Sequence, residues 1–548
     1  MRNKFSFVLL SFVMMAGLLF SFVQQPVAHA AFGASDFLKT SGTVIKNNSG
    51  TGTIVNLRGP NLGGWLLQEA WMSPMNTPDQ YTLTKTLWSR FGTDMNHSLQ
   101  QGYHDVWIQS SDLDNIQSMG LNVVRVPMYW EDFMNPDGSM KPDSISFREL
   151  DWVINQSALR NIYVILDFHG IQGGDCPWQS CGISDSNQLW SNQTYQDRTV
   201  QIWERIATRY NGNPAVAGYD LMNEPLVTMG SAENAAQVKQ KYDLYNRLYT
   251  AVRAKDPNHI IIVAAFFDWE QSLPPSTYGW TNVVYETHHY NTTNYNDWNL
   301  TNSMIDNWLT KMAQYQTNYN VPVYAGEFSF GQLDLTEKWL AGLNNLNASW
   351  SNWSYKVTGG GNWGYYHNNM NPVPDIYNDS AATITSKWSK FATSYFQANT
   401  PFINVVKKYA GQSPVSRTTS SIKAMANNKF ASADNGGASP LVANRDIVND
   451  WEKFTVVSNS DGTVSFLSKA NNKYVTADLN QDAKLIARAA TIQGWEKFRL
   501  IDRGNGKVAL LALANNKYVS ADLNLGAVLY ANRDTVQGWE EFVISSAP

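Results

Sequence analysis

The sequence predicts an α/β protein, a (β/α)8 barrel of the TIM type, followed by a smaller all-β domain. Between about residues 55 and 400, short apolar runs alternate with amphipathic stretches of helical length, which is typical of parallel βαβ units. Eight such units fit a closed barrel with long loops after its strands. Beyond residue 421 the same short motifs return every 44 residues, which indicates an internally repeated domain.

The barrel strands are expected where the apolar runs are short and bounded by turn residues. The eight candidate strands cover residues 61–66, 123–130, 163–170, 216–224, 260–267, 283–290, 321–328 and 362–366. The stretches between them have helical periodicity, and the clearest cover residues 105–119, 147–160, 196–210, 235–255 and 301–319. The strands therefore should meet at one end of the barrel, where catalytic residues of such folds are found.

The C-terminal repeats have a constant period. Asn-Asn-Lys begins at residues 427, 471 and 515, and Trp-Glu-Lys-Phe or Trp-Glu-Glu-Phe begins at residues 451, 495 and 539. Each repeat contains about four short β runs, and three repeats of four strands predict a β-trefoil. The tryptophans are expected in the core, and Asn-Asn-Lys is expected to form turns.

Composition and the N-terminus indicate an exported protein. A net charge of −5 and a pI near 5.9 argue against nucleic acid or an anionic membrane as the main partner. Arg2 and Lys4 precede an apolar run, and Ala28-His29-Ala30 forms a small-x-small cleavage site. We expect a signal peptide at residues 1–30 and a secreted, extracellular mature protein that does not stay in the membrane after cleavage. An uncleaved membrane anchor is the alternative.

The expected domains are a catalytic barrel at residues 31–409, a polar linker at 410–421 and the trefoil at 422–548. The chain has two cysteines, Cys176 and Cys181, close together in GGDCPWQSCG. In an exported protein such a pair most simply forms a local disulfide. A metal site there would need more ligands than this stretch supplies.

Two carboxylates stand at the ends of predicted strands. Glu224 ends the run VAGYDLMNEP, and Glu327 follows the apolar run in VPVYAGEFS. Because the carboxyl ends of barrel strands meet, both side chains should face one cleft. Two carboxylates on either side of a bond, one a proton donor and one a nucleophile, are what glycoside hydrolysis with retention requires.

Further polar and aromatic residues accompany the ends of other predicted strands. These are Arg125 in VVRVPMYW, His169 in VILDFHG, His288 and Tyr290 in YETHHY, and Trp363 in GNWGYY. Each alone is weak evidence, since a single interior Arg or His is more often structural. Together they predict a polar ring with an aromatic platform, which suits a sugar ring.

The motifs LRGPNLGGWL, LMNEP, HHY, YAGEFS and NWGYY resemble glycoside hydrolase family 5, and especially its exo-β-1,3-glucanase branch. The resemblance covers about residues 55–400, since the motifs occur in the family's order. The resemblance implies that Glu224 is the acid/base, that Glu327 is the nucleophile, and that Arg125 and Tyr290 hold the nucleophile. It implies that Asn223 binds the sugar 2-hydroxyl and that His169 and His288 bind sugar or orient Glu224. It also implies that Trp363 is the floor of the −1 subsite and that Glu69 lies in the glucose pocket. Arg125 is also expected to lower the pKa of Glu327.

The chain departs from that branch at two places. Around Glu69 it has Leu-Gln-Glu-Ala where the exo branch has Val-Leu-Glu-Pro, and GIQGGDCPWQSCG replaces the usual sequence after His169. These departures leave the linkage and the chain-end preference open. The repeats, with NNKYVTAD and QGWEKF, resemble fascin-like trefoils, and their Gln-x-Trp spelling is also similar to ricin-type lectin trefoils.

The sequence therefore predicts a secreted, monomeric, retaining β-glycosidase that acts on a β-glucan or another β-linked glucoside and needs neither cofactor nor metal. An exo-β-1,3-glucanase or β-glucosidase is favoured, with β-1,6-glucanase, β-1,4-endoglucanase and aryl or disaccharide β-glycosidase as alternatives. Polysaccharide is the candidate ligand of the trefoil. The rival class is a carbohydrate-binding protein on a silent hydrolase barrel, which typically would lack one of the two carboxylates.

Overall fold

The first domain is a ring of eight parallel strands, preceded by a two-stranded hairpin. The computed structural model describes residues 32–228, 232–266, 269–411, 417–459, 463–504 and 506–547, so the expected signal peptide lies outside the described residues. The hairpin strands are β1 (Lys39–Ser41) and β2 (Val44–Lys46). The barrel strands are β3 (Arg58–Pro60), β4 (Val123–Tyr129), β5 (Tyr163–Gly170), β6 (Val216–Asp220), β7 (Ile260–Phe266), β8 (Val283–His289), β9 (Val323–Phe328) and β10 (Ser349–Asn352).

The barrel closes between its first and second strands. Neighbouring strands follow the order β3-β10-β9-β8-β7-β6-β5-β4. Asn61 and Arg125 form a parallel bridge, and the Leu62 N–H donates to the Arg125 carbonyl at 2.8 Å. The predicted (β/α)8 barrel is thus confirmed.

Helices surround the barrel, and several of them begin at a residue whose side chain caps the helix. The Asn234 side chain, for example, accepts from the backbone N–H groups of Ala236 and Gln237 at the start of one long helix. The helices are α1 (Gln80–Phe91), α2 (Thr93–Trp107), α3 (Ser110–Ser118), α4 (Asp143–Ser146), α5 (Arg148–Ala158), α6 (Gln193–Tyr210), α7 (Ala235–Lys255), α8 (Trp298–Tyr319), α9 (Leu333–Leu346), α10 (Ala381–Trp388) and α11 (Thr400–Ala410). Within the described ranges, none of them combines the length and apolarity needed to span a bilayer.

Two strand predictions are wrong. The first barrel strand is β3 rather than residues 61–66, and the eighth is β10 rather than residues 362–366. The sequence of β10, Ser-Trp-Ser-Asn, has no apolar run, although all four of its residues are buried. Trp363 therefore does not lie on a barrel strand. Nearby, Tyr366–His367 (β11) pairs antiparallel with Gln397–Ala398 (β12).

One end of the barrel is filled by apolar side chains. Leu38 and Ile45 of the N-terminal hairpin region pack on residues such as Val123, Ile165 and Ile260 near the strand starts. This cluster excludes water from the amino ends of the strands. The carboxyl ends are left as the open end of the barrel.

The second domain consists of twelve antiparallel strands with three-fold repetition. They are β13 (Arg417–Ala424), β14 (Lys429–Ser432), β15 (Val442–Arg445), β16 (Phe454–Ser458), β17 (Val464–Ser468), β18 (Tyr474–Asp478), β19 (Lys484–Ala489), β20 (Phe498–Gly504), β21 (Lys507–Ala512), β22 (Lys517–Asp522), β23 (Val528–Arg533) and β24 (Phe542–Ser546). Six of them, β13, β16, β17, β20, β21 and β24, pair in a closed ring. The other six form three hairpins that also pair with one another. This is the architecture of a β-trefoil, as predicted, and β13 begins within the stretch expected as a linker. The narrower resemblance to fascin-like domains stays a prediction.

Of the two repeated motifs, one has the expected position in the structure and the other does not. Asn428, the second residue of the first Asn-Asn-Lys, has positive φ like its two counterparts, so this motif does form turns. The tryptophans, however, are not core residues: Trp451 is 42% exposed. The core position of the motif belongs to the phenylalanine three residues later, such as Phe454, which is fully buried.

Candidate active site

A cleft of about 960 Å³ opens at the carboxyl ends of the barrel strands, and both predicted carboxylates line it. Glu327 lies on β9, whereas Glu224 follows the last residue of β6 by four positions. One carboxylate oxygen of each lies within 4.8 Å of the other. The two carboxyl groups therefore can act on the same bond.

Arg125 is fully buried beneath these carboxylates and is surrounded by acidic groups. Its Nε and Nη2 donate to Asp220 at 2.9 and 2.7 Å, and its Nη1 donates to Glu327 at 2.9 Å. Asp167 Oδ2 lies 3.1 Å from Nη1, and Glu286 Oε1 lies 3.4 Å from Nε. Burial opposes the charge, but these carboxylates raise the pKa of Arg125 well above its ordinary value. Arg125 is thus a fixed cation that holds residues of four other strands.

Glu327 is held by donors at both oxygens. Its Oε1 accepts from Arg125, and its Oε2 accepts from the Tyr290 hydroxyl at 2.8 Å. Burial nevertheless raises the pKa of Glu327, and Glu224 adds to this rise, against lowering by His288 and Arg125. Arg125 lowers the pKa of Glu327 as expected, but desolvation outweighs the nearby cations, so the net shift is upward.

His288 connects the two carboxylates. Its Nδ1 lies 2.7 Å from Glu224 Oε1 and 3.6 Å from Glu327 Oε2, and its Nε2 lies 3.3 Å from Glu286. Burial opposes the charged ring, but the three carboxylates together raise the pKa of His288 to about 10. His288 is therefore an imidazolium at neutral pH, and it donates to Glu224.

His169 and Asn223 are brought together as a second pair. His169 Nδ1 lies 2.6 Å from Asp167, and its Nε2 faces the Asn223 amide nitrogen at 3.2 Å. Asn223 Oδ1 accepts from Arg125 Nη2 at 2.8 Å. These contacts fix the orientation of the side-chain amide of Asn223, the residue just before Glu224.

Aromatic side chains line the cleft, and Trp363 is one of them. Its ring stacks on Tyr295 with centroids 5.1 Å apart and meets Trp71 edge-on at 5.0 Å. The aromatic residue directly after the eighth strand is Trp353, which stacks on His169 at 5.2 Å. Trp353 thus follows the eighth strand, and Trp363 lines the same cleft from a later segment, so the role of Trp363 as the floor of the −1 subsite stays a prediction.

Glu69 lines the same cleft and is nearly fully buried. Its Oε2 accepts from the Trp71 indole at 3.0 Å. Burial raises the pKa of Glu69 to about 7. This carboxyl thus changes charge near neutral pH, inside the cleft.

The two cysteines form a disulfide at the rim of the cleft. Cys176 and Cys181 are bonded, and both are fully buried. The loop between them carries Trp178, which is 42% exposed, and Ser180, and both line the cleft. The loop that departs from the resembled branch is therefore part of the cleft wall.

Three buried acids around Arg125 were not predicted from the sequence. Asp167 and Glu286 each precede a predicted histidine by two positions, and Asp220 ends β6. Side chains two apart on a strand share one face, so this spacing indicates that Asp167 and Glu286 point inward like His169 and His288. Charged residues are seldom fully buried, which makes such positions easy to pass over.

Asp220 and Glu286 are both fully buried beside Arg125, and their pKa values shift in opposite directions. Burial, followed by the charge of Glu286, raises the pKa of Asp220 well above its usual range, whereas Arg125 and His288 keep the pKa of Glu286 lowered against the effect of burial. Asp220 Oδ1 and Glu286 Oε2 are both buried and accept no bond from other described residues.

Glu224, His288 and Glu327 are close enough to be considered as metal ligands. Both nitrogens of the His288 ring face carboxylates, Nδ1 that of Glu224 at 2.7 Å and Nε2 that of Glu286 at 3.3 Å, and these carboxylates raise the pKa of the ring to about 10. A metal ligand must be the neutral imidazole. The trio is better described as a proton-bearing acid–base group.

Two close carboxylates at the open end of a closed (β/α)8 barrel, with an aromatic-walled cleft around them, define a glycoside hydrolase domain. The family described as Cellulase (glycosyl hydrolase family 5) matches residues 88–359, which run from α1 past β10. The barrel is therefore a glycosyl hydrolase family 5 domain, and the resemblance noted in the sequence is confirmed at the level of the family.

The chain is similar to several fungal glycosidases. It is 30% identical over 261 residues to a β-xylosidase of Phanerodontia chrysosporium, a match that covers 46% of this chain and 52% of that protein. It is 25% identical over 343 residues to a probable glucan 1,3-beta-glucosidase A of Aspergillus fumigatus, covering 58% of this chain and 76% of that protein. The structure of a rutinosidase from Aspergillus niger aligns with a TM-score of 0.47 at 18% identity, covering 61% of this chain and 98% of that one.

Replacing Arg125 should destabilise the barrel strongly. In Arg125→Met the surrounding carboxylates lose their buried cation, so the free energy of unfolding should fall by about 3–5 kcal/mol. Urea unfolding followed by the helical circular dichroism signal measures this in the barrel, because the trefoil contributes no α-helix. The matched control is Arg148→Met, which removes an ion pair whose arginine is 37% exposed, and it should cost about 0–1 kcal/mol. Equal losses in the two variants would contradict the role given to Arg125.

The stabilising effect of His288 should depend on pH. Its pKa rises from 6.5 to about 10 on folding, so its charge stabilises the folded state fully below about pH 6.5 and progressively less as the pH rises to about 10. The difference in unfolding free energy between the wild type and His288→Gln should shrink over this window. His367→Gln, a histidine outside the cleft, serves as the control. A difference that stayed constant from pH 6 to 10 would refute the imidazolium.

Proposed function

We propose that this protein is a secreted retaining β-glycoside hydrolase that acts on β-glucans, as an exo-β-1,3-glucanase or β-glucosidase. The observation that carries the proposal is the short separation of Glu224 and Glu327. Retaining enzymes hold their two carboxyl groups about 5–5.5 Å apart, and inverting enzymes hold them about 6.5–9.5 Å apart. Contact within 4.8 Å between one oxygen of each supports the retaining class.

The hydrogen bonds support different roles for the two carboxyl groups. Both oxygens of Glu327 accept from fixed donors, Arg125 and Tyr290, so a proton on Glu327 would displace one of them. The ionised carboxylate is thus oriented as the nucleophile that attacks the anomeric carbon. Glu224 then carries the proton of the pair and delivers it to the leaving oxygen, while His288 holds its other oxygen.

The second half of the reaction uses the same groups in reverse. After the glycosyl–enzyme bond forms at Glu327, the ionised Glu224 removes a proton from water, and this water attacks the anomeric carbon. Asn223 stands between Glu224 and the buried Arg125, with its amide oriented by His169, and is positioned to bind a sugar hydroxyl.

The substrate proposal rests on the named relatives and on the cleft. Several relatives are named as glucan 1,3-beta-glucosidases. Glu69 and the aromatic walls Trp71 and Trp363 provide a hydrogen-bonding group and apolar faces for a glucosyl ring. A β-xyloside is the second candidate, because a relative named as a β-xylosidase is 30% identical over 261 residues.

We also propose that the trefoil domain binds polysaccharide and thereby brings the barrel to its substrate. Two binding units in one chain raise the effective concentration of the second unit near the ligand of the first. The support is the separate core of this domain and the partly exposed tryptophan of each repeat.

The two glutamates should fail in different ways. Glu327→Ala should abolish hydrolysis of all substrates, because the covalent intermediate cannot form. Glu224→Ala should still form this intermediate from aryl β-glucosides with good leaving groups, and azide should partly restore its turnover and give a β-glucosyl azide. Release of the aryl group and product analysis measure both effects. Glu337→Ala, a glutamate paired with Lys408 on the surface, is the control. A β-azide product from Glu327→Ala would reverse the assignment.

The linkage can be tested directly. Laminarin, pustulan, carboxymethylcellulose and xylan should be compared under the same conditions, together with aryl β-glucoside and aryl β-xyloside. We expect laminarin to be the best polymer and glucose to be released from its chain ends. Faster hydrolysis of pustulan, carboxymethylcellulose or xylan would assign a different linkage while leaving the retaining mechanism intact. Absence of hydrolysis on every substrate would favour a binding protein instead.

A further inference from the structure

A surface cleft in the second repeat of the trefoil is the strongest candidate site outside the barrel. It has a volume of about 620 Å³, and its lining includes Arg488, Ala489, Gln493, Trp495 and Glu496. We infer that this cleft binds a neutral saccharide through the face of Trp495. The inference rests on the proposed polysaccharide-binding role of the trefoil and assigns that role to one repeat.

The turn that carries Trp495 is fixed by hydrogen bonds. It lies in the short 3-10 turn Gly494–Glu496, whose last residue is buried. Glu496 Oε2 accepts from the Gln493 backbone N–H at 2.9 Å, and its Oε1 accepts from the Thr476 hydroxyl at 2.9 Å. The carboxylate thus ties the turn to strand β18. A ligand that stacks on the Trp495 indole therefore meets a backbone segment that is already ordered, which limits the conformational entropy lost on binding.

The polar groups of the cleft are arranged for a neutral ligand. Arg488 pairs with the fully buried side chain of Asp478 at 2.5 Å, while 42% of the arginine side chain remains exposed. Its charge is already matched by Asp478, and Glu496 adds a further negative charge at the cleft, so an anion is not favoured. Aromatic surface beside charged and amide groups suits the apolar face and the hydroxyls of a sugar ring.

The third repeat shows why the second one is open. Arg533 stands at the position that Ala489 occupies one repeat earlier, 44 residues back, and its guanidinium carbon lies 5.9 Å from the centre of the Trp539 ring. Arg533 also pairs with Asp522 at 2.9 Å, which keeps it beside the indole. In the third repeat Arg533 would therefore compete with a ligand for the face of the Trp539 ring. In the second repeat, alanine leaves this space to a ligand, and arginine is moved one position back, to residue 488.

The test compares binding by full-length variants. Sedimentation with insoluble β-1,3-glucan, cellulose and xylan is measured for the wild type, Trp495→Ala, Ala489→Arg and Trp539→Ala. Loss of a stacked ring should weaken binding about tenfold in Trp495→Ala. Ala489→Arg should weaken it comparably, because the new side chain fills the cleft. Trp539→Ala, the matched control in the third repeat, should bind within about twofold of the wild type. Thermal unfolding of each variant checks that the domain stays folded.

The possible outcomes are distinct. Equal weakening by Trp495→Ala and Trp539→Ala, or no weakening by either, would overturn the assignment to the second repeat while leaving a polysaccharide-binding trefoil. No sedimentation of the wild type with any of the three polymers would overturn both the site and the proposed role of the trefoil. Hydrolysis of an aryl β-glucoside by the wild type is measured separately, so that failure of the proposed barrel activity is recognised independently. The polymer that sediments the most protein identifies the ligand class.

Discussion

The burial of one guanidinium, that of Arg125, is the constraint on which the active end of the barrel depends. Moving a cation of this kind out of water costs several kcal/mol, and only well-placed anionic partners offset that cost. Asp167, Asp220 and Glu327, on three other strands, each form an ion pair with the Arg125 guanidinium. Because arginine presents its donors in a fixed fork, a shift in the register of any of these strands would leave a buried charge unpaired. The same contacts that place Glu327 for chemistry therefore also hold the strands in alignment.

This arrangement makes two identical residue types chemically different. Glu327 receives its hydrogen bonds from an arginine and a tyrosine, whereas Glu224 receives one from His288, which is itself a cation. The difference between a nucleophile and a proton donor thus comes from the surroundings of each carboxyl group rather than from its identity. Beneath them, the raised pKa of Asp220 reduces the negative charge that Arg125 has to balance.

Much of the fold could be read from the sequence where burial and apolar composition coincide. The strands containing Arg125, His169 and His288 are apolar runs, and their positions were predicted well. The eighth strand was missed because Ser349–Asn352 has a single apolar residue, Trp350, among three polar ones and therefore forms no apolar run, although Trp350 is part of the barrel core. Trp363 was consequently placed on a strand, although it reaches the cleft from a later segment.

The trefoil motif shows a related limit. Trp-Glu-Lys-Phe contains two large aromatic residues, and sequence alone does not tell which one faces inward. The structure buries Phe454 and its counterparts and directs the tryptophans outward, because the residues around each tryptophan form a 3-10 turn whose glutamate caps its own backbone. The glutamate that follows each tryptophan was the one indication in the sequence that the tryptophan lies in a turn, because an acidic side chain bound to a nearby backbone N–H is typical of a tight turn.

The three-fold ring of the C-terminal domain also has a consequence for its assembly. Each 44-residue unit contributes two strands to the closed ring and one hairpin to its cap, so a single unit has edges that only other units can cover. Three separate copies of one short peptide would satisfy the same pairings as a trimer. In one chain those contacts are intramolecular, so that assembly does not depend on peptide concentration. Each unit can also differ from the others outside the ring pairings, as at Ala489, where the other two units have Arg445 and Arg533.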